Sequence, residues 1–144
     1  MADYEFRVEG MEHLKAALSD PAMVAGPLHR FLEKSARVVE GQAKEKAPSD
    51  IGRLRGSIVS EIGDTEAIVG TPLKYAPYLE FGTRPHWPPL DALQPWARRH
   101  GFPPGRQGAF LVARKIAQHG TPARPYLLPA LNESKGDIER FLNE

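Results

Sequence analysis

Five histidines are the side chains of this sequence best suited to bind a metal or to exchange protons. No two of them are four residues apart, and no HExxH arrangement places a pair on one helical face. His100 and His119 each precede a glycine at the predicted end of a helix, where cations and glycines commonly terminate helices. We therefore expect no metal site. The three other histidines are His13, His29 and His86, of which only His86, beside Trp87, suggests another role.

The other common catalytic arrangements are missing from the sequence as well. The chain has no cysteine, which excludes a thiol nucleophile, a disulfide scaffold and a thiolate metal site. There is no GxSxG elbow, and the prolines of residues 101–105 remove the N–H donors that a phosphate loop needs. We expect no enzyme, no catalytic residue and no cofactor. The enzymatic alternative is a small nuclease in which His86 or His119 acts with Glu80.

Length and composition indicate one compact domain over residues 1–144. The 144 residues are 41% hydrophobic, which suffices for a sizeable core, and the formal net charge is +1. No apolar run approaches the roughly 18 residues of a membrane span, so no membrane partner is expected. Because residues 1–7 lack the basic start and apolar core of a signal peptide, we expect synthesis and folding in a cytoplasm.

The charges are unevenly distributed, and residues 84–124 are basic. This block holds seven Lys or Arg residues and one acid, Asp91. Such a block could contact the phosphate backbone of DNA, and it defines a DNA-binding alternative for the whole protein. Solvated helix faces would give the same pattern in a monomer. The candidate DNA-facing residues are Arg98, Arg99, Arg106, Arg114 and Lys115.

The hydrophobic patterning predicts an α+β fold. A small antiparallel sheet should pack against a long N-terminal helix, with additional short helices and a C-terminal helix. Pro27 should begin the long helix and Pro48 should follow its end, whereas Pro95 should delay or kink a later helix. Residues 84–122 form a Pro-rich helical excursion. The predicted strands are 4–8, 57–62 and 66–69, and the predicted helices are 11–18, 28–44, 75–81, 90–100, 107–119 and 132–142.

Three segments combine arginines or aromatic residues with stiff turns, a composition favoured at protein interfaces. They are residues 50–58 (DIGRLRGSI), which we expect to project as a loop, residues 75–83 (YAPYLEFGT) and residues 124–131 (RPYLLPAL). The candidate interface residues in and beside these segments are Arg53, Leu54, Arg55, Tyr75, Tyr78, Glu80, Phe81, Thr83, Arg124 and Tyr126.

In this order, the three segments resemble the tail-component family of long-tailed bacteriophages and prophages. The family pattern also includes a long helix that ends in Ala-Lys and Ala-Pro, as at residues 43–48 here. Two positions depart from it, because Ile51 replaces the usual threonine and Tyr126 replaces the usual phenylalanine. The resemblance extends from about residue 28 to the C-terminus.

The resemblance implies a structural virion protein of the head–tail junction, located in the neck or tail of the particle. Such a neck or tail-completion protein would form a ring, with six copies expected, between the head connector and the tail tube. DNA would pass through the ring without specific recognition. Arg53 or Arg55 would pair with Glu80, within a subunit or across the ring. A tail terminator that caps the tail tube is the alternative within this class.

Overall fold

The computed structural model describes Ala16 and residues 19–144 of the chain. The predicted strand at 4–8 lies outside the described residues, as does the predicted helix at 11–18 except for Ala16. The described elements are α1 (Pro21–Lys46), α2 (Arg53–Ser57), β1 (Val59–Ile62), β2 (Ala67–Gly70), α3 (Ala76–Phe81), α4 (Leu90–Arg99), α5 (Arg106–His119) and α6 (Leu127–Leu142).

Helix α1 is the longest element, and it begins earlier than the sequence predicts. The carboxylate of Asp20 accepts a hydrogen bond of 2.9 Å from the backbone N–H of Ala22, and Pro21 occupies the first helical position. The prediction that Pro27 begins the helix is therefore wrong, and Pro27 lies inside it. The predicted end is confirmed, since Ala47 caps the helix just before Pro48.

Strands β1 and β2 form the predicted antiparallel hairpin. Val59 is opposite Gly70 and Ile62 is opposite Ala67. Because side chains alternate along a strand, one face of the hairpin is directed towards α1 and the other towards solvent. On the inner face, the Ser60 hydroxyl donates a hydrogen bond of 2.6 Å to the carboxylate of Glu40 on α1. The small sheet against a long helix confirms the α+β fold.

The core lies where α1, α2, α3 and α6 meet. Helix α6 packs along α1, and small side chains at their contact, Ala43 and Ala130, allow the backbones to approach closely. Ile58 and Tyr126 are the largest hydrophobic side chains that are completely buried there. The long helix, the hairpin and the last helix thus share one core.

The structure corrects three further expectations. Residues 50–58 are not a simple projecting loop, because residues 53–57 form α2, and Leu54 is buried in the core. Pro95 lies inside α4, which begins at Leu90 as the patterning predicts, so of the two expected effects of Pro95 the delayed start does not occur. Helix α6 begins at Leu127 rather than at residue 132, because a side chain of α3 accepts hydrogen bonds from the backbone at its N-terminal end.

Helices α4 and α5 pack against each other and form an arm, defined here as residues 83–121. At its base, Thr83 and Thr121 form an antiparallel bridge, with backbone hydrogen bonds of 3.0 and 3.2 Å. A second attachment joins Arg99 of α4 to Asp50, whose two carboxylate oxygens each lie 3.1 Å from the Arg99 Nε. The arm is therefore fastened to the rest of the chain at two points.

Candidate interaction surfaces

The buried carboxylate of Glu80 joins two of the three motif segments. Glu80 lies on α3 and accepts hydrogen bonds from the backbone N–H groups of Tyr126, Leu127 and Leu128 at 2.8, 3.0 and 2.9 Å. These N–H groups belong to the N-terminal end of α6, where backbone donors have no partners within the helix. A negative charge there also complements the helix dipole. Glu80 thus explains why α6 begins at Leu127.

The fold favours the ionised form of the Glu80 carboxyl group. Burial raises the pKa of its carboxyl group, but the three backbone hydrogen bonds outweigh burial and hold the pKa below its ordinary value. The proposed pairing of Glu80 with Arg53 or Arg55 is not formed in the described part of the chain. Instead, the Arg55 Nε donates a hydrogen bond of 2.9 Å to the backbone carbonyl of Lys44.

The other buried member of this junction, Tyr126, has a hydroxyl without a hydrogen-bond partner in the described structure. Its ring is completely buried, and burial, followed by the charge of Glu80 and by Tyr75, raises the pKa of its phenol. A buried unpaired hydroxyl costs about 1–3 kcal/mol. We therefore expect Tyr126→Phe to raise the free energy of unfolding by about 1 kcal/mol, measured by urea denaturation. A loss of more than about 1 kcal/mol would show that the hydroxyl is bonded in solution.

The ten candidate interface residues divide into exposed and buried groups. Leu54, Glu80 and Tyr126 are buried within the subunit, and Thr83 is half-buried in the bridge at the arm's base. Their side chains pack and form hydrogen bonds inside the subunit. They could therefore hold a contact surface in shape, but they could not touch a partner themselves. The six exposed candidates are Arg53, Arg55, Tyr75, Tyr78, Phe81 and Arg124.

An apolar groove of about 670 Å³ lies between α1, β2, α3 and α6. Phe31 of α1, Val69 of β2 and Leu131 of α6 are among its lining residues. Phe81, at the edge of the groove, is 78% exposed. The apolar stripe of α1 predicts a packing face, but it does not show that part of this face borders an open groove.

The outer face of the β1–β2 hairpin was not predicted as a surface of interest. We call it the hairpin face and define it by Val59, Glu61, Asp64, Glu66 and Ile68. Two of these residues are large and apolar, with exposed fractions of 48% for Val59 and 56% for Ile68. The three acids are exposed and form no ion pair within the described part of the chain. The period-2 pattern could have revealed this face, because it places apolar residues on both sides of each strand.

All five candidate DNA-facing residues lie exposed on the arm. Arg99 pairs with Asp50, and the hydrogen bond from Arg99 is the main reason that the pKa of Asp50 is lowered. The other four form no ion pair with any described residue: Arg98, Arg106, Arg114 and Lys115. Near them, the rings of Trp87 and Phe110 pack edge to face with centroids 5.6 Å apart, and both are about half exposed.

The described residues form neither a metal-binding cluster nor a membrane-spanning helix. Among residues 19–144 and Ala16, no group of three or more histidine, cysteine or acidic side chains is arranged to hold a metal ion. None of the helices in this same part combines the length and apolar character needed to span a bilayer.

Part of the chain matches the model of a known protein family. Residues 12–82 match the model of the family described as "Bacteriophage HK97-gp10, putative tail-component". The resemblance to the phage tail-component family is confirmed over these residues, whereas the resemblance of residues 83–144 stays a prediction. The tail-component segment covers about half of the chain and includes α1, the hairpin and α3, whereas the arm helices and α6 follow it. No curated protein and no solved structure matches the chain.

Proposed function

We propose that this phage tail component is a structural subunit of the head–tail junction, a neck or tail-completion protein. It assembles as a ring of six copies that joins the head connector to the tail tube. The observation that carries this proposal is the tail-component match over residues 12–82, which contains the motif segment 50–58 and all but the last residue of the segment 75–83. The work of such a subunit is assembly rather than catalysis, so we propose neither an enzymatic activity nor a cofactor.

The distribution of exposed apolar residues supports an assembling protein. A ring of identical subunits uses head-to-tail contacts, so each subunit needs two different surfaces that complement each other. This chain exposes large apolar side chains on separate elements, including Phe81 on α3, Ile68 on β2 and Trp87 on the arm. We propose that the six exposed motif candidates take part in contacts with neighbouring subunits or with partner proteins of the particle. We also propose that residues 1–144 act as one domain.

Disrupting the gene in the phage or prophage that encodes the protein tests this function. A neck or tail-completion protein is expected to leave DNA-filled heads and separate tails of normal length in electron micrographs of lysates. A tail terminator, the alternative role, would instead leave tails of uncontrolled length. Complete virions without the protein would contradict both roles, and restoring the gene on a plasmid controls for effects on neighbouring genes.

The unpaired cations of the arm support DNA binding as a second candidate function. Binding that depends on phosphate contacts weakens steeply as salt rises. If DNA recognition were the main activity, the purified chain should bind duplex DNA in a salt-dependent manner, and the double variant Arg114→Glu/Lys115→Glu should bind at least about tenfold more weakly. In the ring proposal, DNA passes through without specific recognition, and no sequence preference is expected.

A further inference from the structure

The hairpin and the arm carry opposite charges that are not neutralised within the subunit. Residues 56–73 contain three acids and no lysine or arginine, whereas residues 84–121 contain six basic residues and one acid. In the described part of the chain, Arg99 is the only one of these six that forms an ion pair, and no ion pair joins the hairpin to the arm. Opposite patches of this kind steer association and fix its orientation.

Both charged surfaces also offer apolar area of the kind that protein contacts bury. On the hairpin face, Val59 and Ile68 are exposed, and Ile68 lies directly opposite Glu61. On the arm, Trp87 and Phe110 are 54% and 46% exposed and Leu111 is 40% exposed. Aromatic anchors surrounded by charges are typical of the centre and rim of an interface. Charge and apolar area therefore point to the same pair of surfaces.

We propose that the arm of one copy of this chain docks on the hairpin face of the next copy. The proposal rests on the ring assembly proposed above and names the two surfaces that would form it. The contact is head-to-tail, because the arm and the hairpin face are different surfaces of one chain. Repeated around an axis, such a contact closes a ring when the rotation from copy to copy divides a full turn, as the ring assembly requires. Arg114 and Lys115 would lie opposite Glu61 and Glu66.

Site-specific cross-linking tests this pairing even where association is weak. Because the chain has no cysteine, single thiols can be introduced as Ile68→Cys on the hairpin face and Leu111→Cys on the arm. The two full-length variants are mixed in equal amounts and treated with a bifunctional maleimide. We expect the hairpin–arm product to exceed each symmetric product about tenfold, whereas random collision gives only about twofold.

Charge reversal provides a second test with an internal rescue. The hairpin variant Glu61→Lys/Glu66→Lys and the arm variant Arg114→Glu/Lys115→Glu should each lose the cross-linking preference, to about the random twofold level. A mixture of chains carrying the two reversals should regain it, because each reversed surface then meets an oppositely charged partner. The matched control for the hairpin variant is Glu45→Lys/Glu139→Lys, which makes the same net charge change as that variant at exposed acids outside the hairpin and should behave as the unmodified chain.

The possible outcomes test the arm–hairpin contact independently of the proposed ring function. Random cross-linking yields, or assemblies that survive both reversals, would overturn the arm–hairpin contact. The ring function would still be judged by the gene-disruption micrographs, which do not depend on which surfaces meet. If the arm reversal abolished only DNA binding and left the cross-linking preference intact, the basic residues would serve DNA and the proposed contact would be wrong. Circular dichroism of each variant establishes that it is folded.

Discussion

Replacing Glu80 by glutamine is expected to lower the free energy of unfolding by about 3 kcal/mol. The carboxylate accepts three backbone N–H groups at the start of α6. The glutamine has one carbonyl oxygen, and its NH₂ group would face a backbone N–H instead of accepting from it. At least one buried donor would therefore lose its partner, and the negative charge that favours the helix N-terminus would also disappear. Urea denaturation followed by circular dichroism measures the loss.

The pH dependence of stability gives the same prediction an independent readout. Because the folded structure lowers the pKa of Glu80, this group stabilises the fold fully above its unfolded pKa of about 4.3, and the contribution is lost as the pH falls through the folded pKa. The stability difference between the wild-type chain and Glu80→Gln should therefore be largest near pH 7 and should shrink below pH 4.3 or so.

Glu45→Gln is the matched control for Glu80→Gln. Glu45 is exposed on α1 and forms no ion pair within the described residues, so its substitution should change stability by less than about 0.5 kcal/mol. If Glu80→Gln matched this control at neutral pH, the carboxylate would not be the cap that determines where α6 begins.

Replacing Gly120 by alanine is expected to destabilise the base of the arm by about 3–5 kcal/mol. Gly120 has φ of 68° and ψ of −161°, a conformation that is essentially restricted to glycine. A Cβ atom at this position would also lie 2.1 Å from the Thr83 carbonyl oxygen, within the bridge that closes the arm. Because the obstructing atom belongs to the backbone, the bridge would have to open to relieve the clash.

Both tryptophans of the chain, Trp87 and Trp96, lie in the arm, so their fluorescence reports on it specifically. In Gly120→Ala, the fluorescence transition should move to lower urea than the transition seen by circular dichroism. The matched control is Gly136→Ala in α6, where a Cβ meets no atom within 4 Å and should stabilise the helix by up to about 1 kcal/mol. Coincident and unshifted transitions in Gly120→Ala would contradict this account of the bridge.

Local patterning predicted the elements that depend on local interactions. The hairpin follows from alternating apolar residues around a turn at 63–65, and the course of α1 follows from one apolar stripe. The starts of two helices were predicted less well. The prediction that Pro27 begins α1 overlooks Asp20, whose residue type is common at the N-cap position. The start of α6 depends on Glu80, which is 46 residues from Tyr126, and no local pattern reveals that distance.

The sequence predicts the candidate surfaces only in part, because residue type alone does not distinguish an interface from a core. Exposed motif residues such as Arg53 and Tyr78 lie at the surface as expected, but Leu54 and Tyr126 pack inside the subunit. Composition identifies residue types that interfaces favour, and cores favour several of the same types. The sequence does not indicate the hairpin face, because three exposed acids are typical of any solvated surface. Only the structure shows that the basic residues of the arm are unpaired and complementary to them.

Locating the protein in the assembled particle tests the central claim most directly. Particles produced by the phage or prophage that encodes the chain can be labelled with gold-conjugated antibodies raised against the purified chain and viewed by electron microscopy. A neck or tail-completion ring predicts label confined to the junction between head and tail. Label along the tail shaft, label at the distal tip, or unlabelled virions that still bind an antibody against the tail tube would contradict it.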